Sequence, residues 1–228
     1  MRFWKLSGAG NDFVLIEGAG SAALARRLCD RKAGVGADGL LAVRGRRVVN
    51  YNPDGSRAFC GNGSRCAALF LSRRLGKSFT FTSNGRELAA RIVGGGRVAV
   101  RMPAPGPVTR RGHVRLVHTG VPHAVVPVRG LDRYPVVEKG RPLRWKLGAN
   151  VNFVERSGRA LRVRTYERGV EDETLACGTG VVAAAAAFGV SKVIVRSGET
   201  LTVSFGPETW LEGPARLVFE GTFRSRAA

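Results

Sequence analysis

The chain has few acidic side chains and little lysine. Against 37 basic residues it has 17 Asp and Glu, a formal net charge of +20, and six of the basic residues are lysine. The arginines are dispersed, as in Arg26, Arg27, Arg46, Arg47, Arg110 and Arg111, and no block of five like charges forms. Nor is any basic stretch interleaved with aromatics in the manner of base-stacking surfaces. The charge therefore reads as a general surface bias that attracts anions weakly and loses its hold in salt. No specific nucleic-acid partner is expected, and nucleic-acid binding stays as a distant alternative.

Long apolar runs are also missing. The longest, Val181 to Phe188, is far short of the roughly 20 residues that span a bilayer. No membrane association is expected. The opening stretch MRFWKLSGAGNDF lacks the apolar core of a secretory signal, so a cytoplasmic location is expected. Four cysteines (Cys29, Cys60, Cys66, Cys177) are too few for a disulfide scaffold, form no C-x-x-C pair and lie apart from His113, His118 and His123. They are expected to be thiols, with no metal site. There is no Walker-type phosphate loop, no strand-anchored dinucleotide fingerprint and no lysine in a pocket motif of the kind pyridoxal chemistry needs. No cofactor is expected.

What is present is glycine, 31 residues of it, in a chain that is 44% hydrophobic. That composition supports a core built of many short strands and tight turns. RFWKL, DFVLIE, LLAVR, RVVNYN, SFTFTS, ELAARIV and RVAVRM read as strands. SAALARRLCD (21–30) and CAALFLSRRLG (66–76) read as helices. The stretch MPAPGPV (102–108) reads as a connection between domains. Beyond it HVRLVHTG, HAVVPV, WKLGANVNFVE, RALRVRTYE, KVIVRS, TLTVSF and ARLVFEGTF read as strands, with a helix from about Gly180 to Gly189. The expected fold is α/β (α+β): two pseudosymmetric lobes, each a mixed, mostly antiparallel sheet curled around a central helix, with the site in a cleft between them. The lobes are expected at 1–107 and 108–215, and the last strand, about 216–228, can rejoin the first.

One short device occurs twice: CGNGSRCAALFL (60–71) and CGTGVVAAAAAF (177–188). Glycines permit positive φ and let a ligand approach the backbone. The first turn of a helix leaves N–H groups unpaired, and with the helix dipole they favour a carboxylate. A cysteine in that place has its thiolate stabilised. Two copies on opposite sides of one carbon suit removal of a proton from one face and delivery to the other, with backbone N–H groups holding the developing carboxylate charge. Asn11, Asn52, Asn62 and Asn150 sit at expected turns and strand ends, where they either serve the backbone or line a polar pocket. Glu167 and Arg168 follow a strand and precede Cys177; together they can bind the two ends of a zwitterion.

The segments KLSGAGNDF, GVGADGL, NPDGSRAFCGNGSRCA, TGVPHAV, GANVNF and YERGVEDETLACGTG together resemble diaminopimelate epimerase. The resemblance runs in order from residue 5 to about 185. It implies cofactor-free interconversion of LL- and meso-diaminopimelate in the supply of lysine and cell-wall precursors, two similar α/β halves, and a homodimer. Carried over, Cys60 and Cys177 are the paired base and acid. Gly61, Asn62, Gly178 and Thr179 hold the reacting carboxylate. Asn11, Asn52, Asn150, Glu167 and Arg168 hold the distal end of the substrate, and His123 tunes one cysteine. Cys66 and Cys29 are expected to be packing residues. At two positions, Val121 and Gly39, the chain has apolar residues where some members have polar ones. A related racemase acting on proline, hydroxyproline or histidine is the near alternative; Arg168, suited to a second amino-acid head group, favours diaminopimelate.

Overall fold

A computed structural model describes residues 1–57 and 59–224. The chain folds as two compact units, one of Met1–Val100 together with the chain from Pro214 onward, the other of Arg101–Gly213. Residues 225–228, at the end of the expected last strand, lie outside the described residues.

The first unit contains β1 (Arg2–Gly8), β2 (Asn11–Glu17), α1 (Ala22–Cys29), β3 (Gly39–Arg44), β4 (Arg47–Tyr51), α2 (Gly61–Leu75), β5 (Ser78–Ser83), β6 (Arg86–Gly94) and the start of β7 (Arg97–Met102). Its sheet is completed by the last strand, β17 (Arg216–Thr222), antiparallel to β1. From β1 the ladder continues through β2 to β7, parallel at β2–β3 and β4–β5 and antiparallel elsewhere. Helix α2 touches β1 to β6 and β17, so the sheet curls around it. That explains why Asn62 to Ala68, Phe70 and Leu71 of one helix are all buried: a helix surrounded on most sides has no polar stripe to spare.

The second unit contains β8 (Thr109–Arg111), β9 (Val114–His118), β10 (Pro122–Pro127), α3 (Val136–Leu147), β11 (Asn150–Ser157), β12 (Ala160–Glu167), β13 (Asp172–Thr174), α4 (Gly178–Phe188), β14 (Lys192–Ile194), β15 (Thr200–Ser204) and β16 (Thr209–Pro214). Helix α4 touches β9 to β12, β14 and β15. Its Val and Ala side chains are small, which lets the strands close in on every side.

Both units use one pattern of pairing. An antiparallel pair (β1–β2; β9–β10) leads through an outer helix to a parallel neighbour (β2–β3; β10–β11), then an antiparallel partner (β3–β4; β11–β12). The central helix follows, and after it a second parallel neighbour (β4–β5; β12–β14). Each sheet is covered on its other face by the outer helix. In the first unit α1 buries Ala25 and Leu28 in one cluster with Val14, Ile16 and Leu40, and in the second α3 buries Val136 in one with Ala124, Val151 and Phe153. Strands buried on both faces need continuous apolar runs such as FVLI and LLAV.

Three features differ from the sequence expectation. Helix α2 starts at Gly61, not at Cys66, because Cys60 caps it. Helix α3 occupies 136–147, where no helix is expected and WKL reads as the start of a strand. Its pattern is masked by an internal Gly140 and Pro142; a Cβ at Gly140 would lie 2.6 Å from Tyr166, so close packing demands the glycine. Strands β8, β13 and β16 are further additions, of which the first two have only three residues each. Residues 103–108, within the expected connection, are neither helix nor strand. Among the described residues no helix is long and apolar enough to cross a membrane.

Candidate active site

Cys60 and Cys177 are the N-cap residues of the two central helices, both with extended backbone. The Cys60 Sγ accepts a hydrogen bond from the Gly63 backbone N–H at 3.4 Å. A sulfur that receives a backbone donor at a helix start is favoured as the anion. Cys177 is buried, and its Sγ lies 3.5 Å from the Thr179 hydroxyl. By contrast Cys66 is fully enclosed in α2, and burial pushes its thiol up to about 12. Burial likewise pushes Cys29 up to about 11.

The glycines after each cysteine serve packing and access rather than positive φ. Gly61, Gly63, Gly178 and Gly180 are absent from the positive-φ positions and belong to the helices. A Cβ on Gly180 would stand 2.3 Å from the Asn152 Oδ1, and one on Gly63 would stand 3.1 Å from Leu41. Gly61 faces open space, with no atom within 4 Å of an added Cβ. The start of α2 is thus pressed onto its strands on one side and bare at Gly61, whereas at the start of α4 a Cβ on Gly178 would stand 3.1 Å from Leu211.

In the first unit the expected residues are brought into one chain of contacts. Asn62, buried in the first turn of α2, donates to the Asn11 Oδ1 at 2.7 Å, and Asn11 donates to Asp38 at 3.0 Å. The Asn62 Oδ1 in turn accepts from Arg65 at 2.6 Å. Behind Asn11, Arg31 bridges Asp12 (2.8 Å) and Asp38 (2.7 Å). Burial pushes the Asp12 carboxyl up, but hydrogen bonds from Arg31 and Lys5 outweigh it and hold it down at about 2. Asn52 stands apart from this chain in its hydrogen bonding, turning the loop after β4 through Ser56 (2.9 Å).

In the second unit Asn150 is committed to the backbone. It donates to the Pro122 carbonyl (3.3 Å) and accepts from the Arg168 N–H (2.9 Å). The Arg168 side chain is exposed and donates to the Gly148 carbonyl at 3.0 Å. Burial pushes the Glu167 carboxyl up, opposed by hydrogen bonds from Thr174 and Cys177. The Thr174 hydroxyl donates to it at 2.9 Å. His123 is 1% exposed and burial lowers it to about 3, so the ring is neutral.

Register relates the two halves residue by residue. Phe13 pairs with Gly39 and Leu40 with Tyr51; His123 pairs with Asn150 and Val151 with Tyr166. Asn52 is therefore the counterpart of Glu167. Val121 and Gly39, where the chain departs from the resemblance, are the counterparts of Asn11 and Asn150. Sequence reading missed Asp38, Arg65, Asn152 and Thr165. Asn152 was the most accessible of these, since in NVNFV it shares a strand face with Asn150 by simple alternation.

The family model for diaminopimelate epimerase matches residues 3–106 and 115–206. The chain belongs to the diaminopimelate epimerase family. Members of that family are isomerases. A diaminopimelate epimerase from Chlorobaculum tepidum is 39% identical, covering 95% of this chain and 99% of its own. One from Aquifex aeolicus is 38% identical with 97% of each covered. Among solved structures, a phenazine biosynthesis protein of the PhzF family from Enterococcus faecalis has TM-score 0.70 at 13% identity, covering 96% of this chain and 97% of that one. A hydroxyproline epimerase from Agrobacterium vitis has TM-score 0.62 at 16% identity, covering 97% and 91%. These share the fold.

Proposed function

We propose that this chain interconverts LL- and meso-diaminopimelate without a cofactor, as a cytoplasmic enzyme of lysine and peptidoglycan precursor supply. The observation that carries the reading is the repetition of a cysteine at the N-cap of each unit's central helix, in a chain 34–39% identical to diaminopimelate epimerases over nearly its whole length.

One cysteine thiolate takes the α-proton: the C–H bond breaks, an S–H bond forms, and the electron pair moves onto the carboxylate as an enediolate. The other thiol then gives its proton to the opposite face of the carbon, leaving the pair with its charge exchanged. Backbone N–H groups at the first turns, around Gly61, Asn62, Gly178 and Thr179, stabilise the extra charge on the carboxylate. Asn11, Asn52, Asn150, Glu167 and Arg168 hold the distal amino-acid group, directly or by fixing the loops that do. Neutral His123 supports one of the cysteines.

A homodimer is part of the proposal. Strand β17 leaves Leu217, Val218 and Phe219 exposed, a run that a second copy can cover; sedimentation at a monomer mass would remove this part.

The deciding measurement is α-proton exchange in D₂O with LL- and meso-diaminopimelate. Wild type is expected to exchange and invert both, while Cys60→Ala and Cys177→Ala lose inversion. Exchange on proline with none on diaminopimelate would overturn the substrate assignment.

A further inference from the structure

Among the described residues Arg65 is the largest fully buried side chain, with no exposed surface. It lies on α2, five residues after Cys60, and side chains on a helix lean toward its N-terminus. Its Nη2 donates to Asn62, but Nε and Nη1 have no hydrogen-bond partner among the described residues. A guanidinium sealed away from water without a counter-charge is costly, so a buried arginine implies an anion nearby.

Among the described residues no carboxylate answers that demand. Among the described residues the ionisable groups near enough to act on Arg65 are Cys66, Cys60 and, repulsively, Arg97. On the strands packed against α2, Lys5 is paired with Asp12, Asp12 with Arg31, and Glu17 with Arg74; Asp38 is paired with Arg31. Arg2 is paired with Glu220. The remaining charged residues of those strands (Arg44, Arg47, Arg86, Glu87, Arg91, Arg216) are exposed, as are Arg73 and Arg74 of α2 itself. Cys66 is kept as a thiol by its own burial. Cys60 is what remains.

The second unit lacks this cation. Counting from each capping cysteine, the place of Arg65 is taken by Val182. There Cys177 instead gives a hydrogen bond to the Glu167 carboxyl, an arrangement that keeps the proton on sulfur. The two devices match in backbone and differ in charge.

We propose that Arg65 is a positioning residue that holds Cys60 as the thiolate of the resting enzyme, leaving Cys177 as its protonated partner. This rests on the two-cysteine reading above, and it adds a direction: the free enzyme is poised for the epimer that presents its α-proton to Cys60.

The test titrates each sulfur without substrate. Iodoacetamide alkylation is followed by mass spectrometry of the Cys60 peptide in Cys177→Ser protein, and of the Cys177 peptide in Cys60→Ser protein, between about pH 5 and 10. Cys60 is expected to titrate well below a free thiol, about 8.5. Arg65→Met should raise its midpoint by about one unit, slowing alkylation about tenfold at low pH, while Arg65→Lys retains most of the depression. The Cys177 midpoint should not move. Equal movement of both sulfurs, or none at Cys60 in folded Arg65→Met protein, would overturn the proposal. Should Arg65→Met fail to fold, the Arg65-intact profile decides: a Cys60 midpoint at or above that of a free thiol overturns it equally. Proton exchange with diaminopimelate reports on the two-cysteine reading separately, so the two can fail independently.

Discussion

The amide of Asn152 points its nitrogen at the Nδ1 of His123, 3.1 Å away. The orientation of the amide is fixed by its other contacts: the same nitrogen donates to the Ala124 carbonyl at 3.1 Å, and its oxygen accepts from the Thr165 hydroxyl at 3.0 Å. Since an amide nitrogen only donates, Nδ1 accepts and the ring proton sits on Nε2. That N–H is buried and has no partner among the described residues, which leaves one donor for substrate or sulfur. Asn152→Ala should free the ring to turn; turnover is expected to fall about tenfold or more, with a stability loss of about 1–3 kcal/mol from the orphaned Thr165 and Ala124 groups. An unchanged kcat would remove His123 from the mechanism.

The neutral imidazole also sets an acid limit. His123 is held at about 3 in the folded chain, against about 6.5 when unfolded. The unfolded state therefore binds a proton that the folded state refuses, and stability should fall as pH drops below about 6.5, until about 3. Asp12, held at about 2, adds a second loss that begins below about pH 4. Urea unfolding across this range should show both, and His123→Asn should flatten the first alone.

Glycine at the two helix starts separates packing from access. Gly180→Ala would drive a methyl group into Asn152, 2.3 Å away, and is expected to cost about 2–4 kcal/mol. Gly61→Ala meets no atom within 4 Å and should leave stability unchanged, or raise it by up to about 1 kcal/mol. It should nevertheless raise KM, because it covers the bare helix end. Thermal unfolding beside steady-state kinetics distinguishes the two.

Cys60 is half-buried while Cys29, Cys66 and Cys177 are buried, so the four thiols should sort by place: the two helix-capping sulfurs react and the two enclosed among apolar side chains do not. Native alkylation is expected to reach Cys60 and Cys177, leaving Cys66 and Cys29 untouched until the chain unfolds. Mild oxidation should abolish inversion and a dithiol should restore it. Cys66→Ala is expected to cost about 1 kcal/mol and leave kcat in place. Reaction of Cys66 at the rate of Cys60 in folded protein would contradict its place inside α2.

Much of this was legible in the residues. Continuous runs such as FVLI and alternating ones such as SFTFTS announced their strands, and the paired Cys-Gly-x-Gly segments announced both capped helices. What escaped did so for physical reasons. Helix α3 contains Gly140 and Pro142, residues that ordinarily end helices; only Tyr166, distant in sequence, explains the glycine. Arg65 reads as one arginine among 31, and nothing local says that it is sealed from water. The contact of Asn11 with Asp38 joins a strand to the residue just before another, and that of Asn152 with Thr165 joins two strands, so only register reveals them.

The chain's final strand closes the sheet that its first strand opens, since Arg2 to Ser7 pair with residues 216–222. During synthesis the middle of the polypeptide is therefore complete before its beginning is. The N-terminal segment waits, one sheet edge bare, until residues 216–222 have been made. A nonsense codon shortly before Pro214 would cripple the half that was made first.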